Sequence, residues 1–173
     1  FKTSFSGCGD CFFQMWDVKL TPSLYYKDAV TIGVTTRSTS MDRTSTIDLQ
    51  NNVVLKNGFS LLFGGEYEHQ NAMAHETAFG EGYHALVDNY AGYLQSIFEY
   101  QDRIVLTAGF RRDQNTAFGN TITYKFEGGY YFKNTNTRIS SSYSKGFRAP
   151  TFDELYFPPV SGFTSSNPAL VPE

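Results

Sequence analysis

Three histidines, one close cysteine pair and a series of charged residues spaced two apart are the groups in this 173-residue chain with the chemistry to bind or to react. Cys8 and Cys11 enclose only Gly9 and Asp10, and three readings compete for them: a disulfide, a redox pair, or half of a metal site. A redox motif wants a βαβ context, and a zinc site wants two further ligands at suitable spacing. Neither lies nearby, so a disulfide on a surface facing an oxidising exterior is favoured. His69, His75 and His84 stand at no recognisable spacing from a Ser or Cys nucleophile, and no Gly-rich phosphate loop occurs. Nothing here argues for catalysis or for a bound cofactor, and no metal site is assigned. His75, Phe79, Tyr83 and His84 cluster in one segment; Phe118, and then Phe152, Tyr156, Phe157 and Phe163, occur in others. Such aromatic and imidazole groups in loops can stack on a flat metal chelate or simply pack on neighbouring loops.

The charged residues point to the elements that must hold them. Asp17 and Lys19 alternate with Trp16, Val18 and Leu20; Asp48 sits between Ile47 and Leu49; Glu66 and Glu68 flank Tyr67. Further on, Glu99, Arg111, Asp113, Lys125, Glu127 and Arg138 alternate with apolar residues in the same way. A period of two places the charged set on one face of a β-sheet and the apolar set on the other. We expect the charged face to line a lumen, contacting whatever fills it, or to form a generic polar interior of cross-strand ion pairs.

About eight strand-like runs of 8 to 11 residues are expected, near 14–24, 29–36, 46–56, 59–67, 90–100, 104–113, 122–132 and 138–145. No helical pattern intervenes. Short links are expected at Lys27-Asp28, Asn57-Gly58, Gln101-Asp102 and 134–136, alternating with longer ones at 37–43, 72–87, 116–120 and beyond Gly146. Asn57-Gly58 is the strongest turn signal, since a type I′ turn needs positive φ at both central residues. Tyr25, Tyr26, Tyr67, Tyr90, Tyr100, Tyr130, Tyr131 and Phe132 collect near strand ends. Strand length, terminal aromatics and alternating link lengths favour a transmembrane barrel over a soluble sandwich. Parity alone does not say which face points outward.

Composition agrees. Aromatics make up 17% of the chain and the net charge is −3, so no polybasic face invites nucleic acid. Mean hydropathy is −0.35, but a barrel hides its apolar face in alternate residues, so this value does not argue against a membrane. The chain starts at Phe1 and is expected to be a fragment, with residues 1–173 part of a single barrel domain.

At the C-terminal end, and in pieces across about two-thirds of its length, the chain resembles a known family. Ser142-Tyr143-Ser144-Lys145-Gly146-Phe147-Arg148-Ala149-Pro150, running into Thr151-Phe152-Asp153-Glu154-Leu155-Tyr156, is similar to the strand-and-loop signature of TonB-dependent outer-membrane receptors. Ser166-Asn167-Pro168-Ala169-Leu170-Val171-Pro172-Glu173 resembles the GNPxLxPE element that follows, with Ser in place of the usual Gly. Ala91 to Gln95 and Leu106 to Arg111 are similar to two preceding strands, AxYLQ and LTAGxR. The cobalamin-receptor-like and siderophore-receptor-like group comes nearest. The resemblance implies an all-β, antiparallel up-and-down transmembrane barrel of about 22 strands, of which about eight lie here. It also implies a plug domain and a TonB-contacting segment elsewhere in the receptor, outer-membrane lipid around the wall, and uptake of an iron siderophore, cobalamin or another small metal chelate. A passive porin-like or structural barrel, or a soluble β-sandwich binding module, are the other functions considered. Pro150 lacks an amide donor, so the strand should stop there and the motif should anchor the loop.

Overall fold

A computed structural model describes residues 2–6, 13–32, 37–76, 81–156 and 166–172. Its eight strands form one antiparallel meander in chain order. They are β1 Lys2–Ser6, β2 Phe13–Ile32, β3 Arg37–Leu55, β4 Phe59–Glu76, β5 Glu81–Tyr100, β6 Ile104–Asn115, β7 Gly119–Phe132 and β8 Thr137–Lys145. A five-residue helix, α1 (Phe152–Tyr156), follows. Cys8, Cys11, Phe79, Phe157 and Phe163 lie outside the described residues.

The partition into strands differs from the sequence expectation. Lys27 and Asp28 form no corner: β2 runs unbroken through them, paired to Asp42 and Met41 of β3. The expected link at 37–43 is the first part of β3, and the expected loop at 72–87 is mostly hairpin, with Glu76 paired to Glu81. The physical reason is that alternation does not stop there. Ala72 and Ala74 on β4, with Ala85 and Val87 on β5, keep one parity and are buried, so the pairing continues past the polar residues between them. Strict alternation of short and long links is therefore not observed. What distinguishes the two ends is that the β2–β3 and β4–β5 hairpins outreach β6–β7. The Asn57-Gly58 turn is as expected, with φ of 65° and 74°. The turn after β5 also uses two left-handed residues, Gln101 and Asp102.

Register sorts the side chains into two faces. Among strand residues, every large hydrophobic side chain that stays exposed lies on one face, except Met15 and Tyr25. Asp17, Lys19, Asp48, Glu66, Glu68, Glu99, Arg111, Asp113, Lys125, Glu127 and Arg138 all share the opposite face. A continuous apolar face left open on this scale is the signature of a surface that meets something other than water.

On the apolar face the end of the main hydrophobic run toward the protruding hairpins shifts from strand to strand, with Val30, Ile32, Met73 and Leu86 as further exposed apolar residues beyond it. It is Tyr26 on β2, Tyr67 on β4, Tyr90 on β5, Phe110 on β6 and Tyr143 on β8. Traced through the register, Tyr26 lies level with Leu86, and Tyr143 lies level with Ser96. The boundary thus slips ten residues along β5 over six strand steps. At ~3.3 Å per residue and ~4.8 Å between strands, that corresponds to strands tilted by about 45–50° from the normal to the boundary. Tyr90 to Tyr100 then spans roughly 22 Å of height, close to the apolar band of a transmembrane barrel.

Candidate functional site

The polar face carries a connected lattice at mid-height. Arg111 on β6 reaches Glu66 on β4 through Nη2 at 2.7 Å and forks onto Asp113, its Nε lying 3.1 Å from each carboxylate oxygen. Asn89 Nδ2 donates to the same Asp113, which is 3% exposed. A buried carboxylate is tolerable only with such partners. Tyr93 on β5 donates to Asp48 on β3 at 2.8 Å, its ring crossing the bare backbone of Gly64 on the strand between. Lys125 pairs with Glu127 on its own strand at 2.8 Å, so these two do not join Arg111. Glu99 and Arg138 sit exposed at the opposite, tight-turn end.

Above this lattice the chain after β8 turns inward over the polar face. β8 ends at Lys145, five residues before Pro150 where the strand was expected to stop, and Thr151 and Glu154 form a capping box. The Glu154 amide donates to Thr151 Oγ1, and Glu154 Oε2 accepts from the Thr151 amide at 2.8 Å. Arg148 Nη2 holds the other carboxylate oxygen at 2.7 Å. The Thr151 amide, and then Arg148, keep the Glu154 carboxyl below the usual carboxylate range. The Asn167 amide donates to the carbonyl of Glu154, tying the segment at 166–172 to the helix. Leu155 is 2% exposed and, with Val87, lines the same cavity under the helix. Tyr83, on the protruding part of β5, donates to Asp153 at 2.8 Å, and its ring lies 6.3 Å from that of Tyr156. Burial, and then that hydrogen bond, push the Tyr83 phenol well above its ordinary value.

Between this strap and the sheet lies a cavity of about 360 Å³. Its floor is polar, made by Glu68, Gln70, Asn89, Asp113 and Asn115; Phe118, Phe147, Phe152 and Leu155 wall and roof it. The rings of Phe118 and Phe147 lie 6.2 Å apart. The Glu68 carboxylate in this floor is not bare, since Thr46 Oγ1 and Gln70 Nε2 both donate to it. The arrangement can take a ligand with an apolar or flat face toward the roof and hydrogen-bond donors toward the floor.

Of the loop residues singled out from sequence, Phe118 and Phe152 line this cavity, and Tyr83 and Tyr156 buttress its strap. His75 and His84 do not enter it. Both lie on the apolar-face parity of the protruding hairpin, where His84 Nε2 contacts Asn71 Oδ1 at 2.9 Å. Gln70, Asn89 and Asn115 share the parity of the charged set, the one signal in the sequence for them, since uncharged amides stand out less than carboxylates. Phe147 was read only as part of a strand terminator.

Residues 12–173 match the family model described as TonB dependent receptor-like, beta-barrel. The chain is 32% identical to the vitamin B12 transporter BtuB of Photobacterium profundum over 72% of its own length and 19% of the relative's. It is 28% identical to the vitamin B12 transporter BtuB of Vibrio vulnificus over 84% of its length and 23% of the relative's. The chain therefore spans about a fifth of the length of these curated relatives. No solved structure matches.

Proposed function

Because the chain belongs to the TonB-dependent receptor-like β-barrel family, we propose that it is wall from an outer-membrane receptor that takes up a scarce metal-chelate nutrient. Residues 1–173 would then be one part of a single barrel domain whose polar face lines the lumen and contacts a plug. The apolar face would meet outer-membrane lipid, and TonB would engage a segment beyond this chain. A cobalamin-type corrinoid is the favoured cargo ahead of an iron siderophore, because both relatives are named as vitamin B12 transporters.

The observation that carries this reading is the cavity under the strap. It opens on the polar face, at the end where the hairpins protrude, and it opposes aromatic rings to a floor of carboxylates and amides. An amide-rimmed, flat-faced chelate suits that pairing, with its face against Phe118, Phe147 and Phe152 and its rim amides over Glu68, Asn89 and Asn115. Binding here would be selection by shape and hydrogen bonding, with no bond made or broken.

The test is uptake of labelled cobalamin and of a ferric siderophore by cells carrying the full-length receptor, with and without collapse of the proton gradient. Gradient-dependent uptake of cobalamin, weakened about tenfold or more by Phe118→Ala with Phe152→Ala, is the expected result. Uptake that survives collapse of the gradient would point to a passive pore. Uptake of the siderophore alone would overturn the cargo assignment.

A further inference from the structure

Methionine and histidine are scarce in this chain, with 3 of each, yet two of each meet on the apolar face of the protruding hairpins. Met41 on β3 pairs with Met73 on β4, and Met73 pairs in turn with His84 on β5. His75 is the next residue of that face on β4, one row nearer the tip, and so lies diagonal to His84. Side chains paired directly on one face have Cβ atoms ~4.5–5.5 Å apart, and diagonal ones are about 7–8 Å apart or less. Four side chains of this length can bring two thioether sulfurs and two imidazole nitrogens around one point.

The imidazoles are placed to ligate. Gly82 lies opposite His75 across the hairpin, so no side chain fills that side of the ring. Neither ring nitrogen of His75 has a partner among the described residues. His84 Nε2 lies 2.9 Å from Asn71 Oδ1. An amide oxygen only accepts, so Nε2 carries the proton and the Nδ1 lone pair is left free. A ligating imidazole has its other nitrogen held in just this manner. Asp28, paired with Met41 on its far side, is already held by Tyr26. Val30, on the row of His75, and Leu86, paired with Asn71, add exposed apolar surface around the four.

The donor set selects the ion. Among the described residues no three His, Cys, Asp or Glu side chains come together to hold a metal, so nitrogen and oxygen alone offer a divalent cation no complete site. Thioether sulfur is a soft donor that favours Cu(I). Arg43, the next residue of this face on β3 after Met41, is stacked on Tyr26 at 5.0 Å. Its positive charge opposes a divalent ion more than a monovalent one. We propose that Met41, Met73, His75 and His84 bind a soft monovalent metal ion, Cu(I), on the apolar face of the protruding hairpins. Met73 lies roughly 20 Å along β4 past Tyr67, so the site stands beyond the main hydrophobic run, where ions reach it. The cavity under the strap opens on the other face, so the site does not depend on which cargo that cavity takes.

The experiment uses the full-length receptor in detergent. Cu(I), kept reduced by ascorbate, is titrated in competition with the chromogenic chelator bicinchoninate, and Zn(II) is titrated separately. Cu(I) should bind tightly, and X-ray absorption at the copper edge should show sulfur and nitrogen donors together. Met73→Leu with His84→Gln should weaken binding about a hundredfold, and Met41→Leu alone about tenfold. Heat-dependent gel mobility reports folding of each variant. Folded variants that bind Cu(I) like the parent, or a parent that does not compete with the chelator, would overturn the proposal. Copper bound without sulfur donors, or Zn(II) held as tightly as Cu(I), would overturn the assignment to a soft monovalent ion.

Discussion

Arg111 and Lys125 lie on the same face, both in ion pairs, yet burial assigns them different weights. Asp113 retains only 5% of its side-chain exposure beside Arg111, while Lys125 and Glu127 keep 54% and 42%. Arg111→Met leaves Asp113 and Glu66 without their shared cation and should cost roughly 2–3 kcal/mol. Lys125→Met should cost less than about 0.5 kcal/mol. Urea unfolding of the receptor refolded into vesicles measures both, and equal losses would contradict the burial argument. Glu154 sets a pH dependence at the strap. Its carboxyl is held below the normal value in the folded strap, so it contributes stability above its unfolded pKa, near 4.5. That contribution should fade as pH falls below about 4.5 through the lowered folded value. Protection of the amides across 148–156, taken relative to their intrinsic exchange at each pH, should therefore fall in that range in the parent. In Glu154→Gln the same step should be absent.

At the scale of elements, the sheet is held in register by side chains that bridge more than one strand. Tyr93 is the clearest case, reaching from β5 across β4 to Asp48 on β3, which only a glycine at position 64 permits. A methyl group there would meet the Leu49 carbonyl oxygen at 2.3 Å and the Tyr93 hydroxyl at 2.5 Å. Gly64→Ala should accordingly break the Tyr93–Asp48 bond and lower stability by about 1–3 kcal/mol. Gly92→Ala, with open space at its position, should change stability by under about 0.5 kcal/mol. Thermal unfolding in detergent compares the pair. The strap is a second such device. Its capping box could be read from Thr151 and Glu154, but its landing place could not, because Asp153 and Tyr156 meet Tyr83 some seventy residues away in sequence.

For the whole molecule, the open question is what covers each face and each edge. The apolar face exposes Trp16, Leu20, Leu49, Leu94 and Phe126, among others. With the Trp16 indole donating to Asn51 along the face, its ring stays at the surface. Trp16 is the only tryptophan of this chain. In a full-length receptor whose other tryptophans are replaced, its emission should be quenched strongly by lipids brominated on the acyl chain and weakly by aqueous iodide. The reverse order would put the polar face outward. The edges β1 and β8 lack outer neighbours among the described residues, and unpaired edges are not tolerated in lipid. As outer-membrane wall the sheet would need further strands beside β1 and β8, and the chain spans only about a fifth of its relatives' length.

Alternation of side chains was enough, by itself, to determine a two-faced antiparallel sheet, the membership of its charged face, and the tight turn at Asn57-Gly58. These are local properties: a period of two and a turn conformation depend on near neighbours. The string from Tyr143 to Tyr156 likewise carried the family. Where strands end was not local. Lys27-Asp28 reads as a corner, yet pairing with β3 supplies hydrogen bonds that hold it extended, and 72–87 reads as a loop until Ala72, Ala74, Ala85 and Val87 bury together. Only the tertiary structure joined Glu66, Arg111 and Asp113 from separate strands into one cluster. It also laid the strap across the protruding hairpin. Each depends on register between strands far apart in the chain, which no single segment encodes.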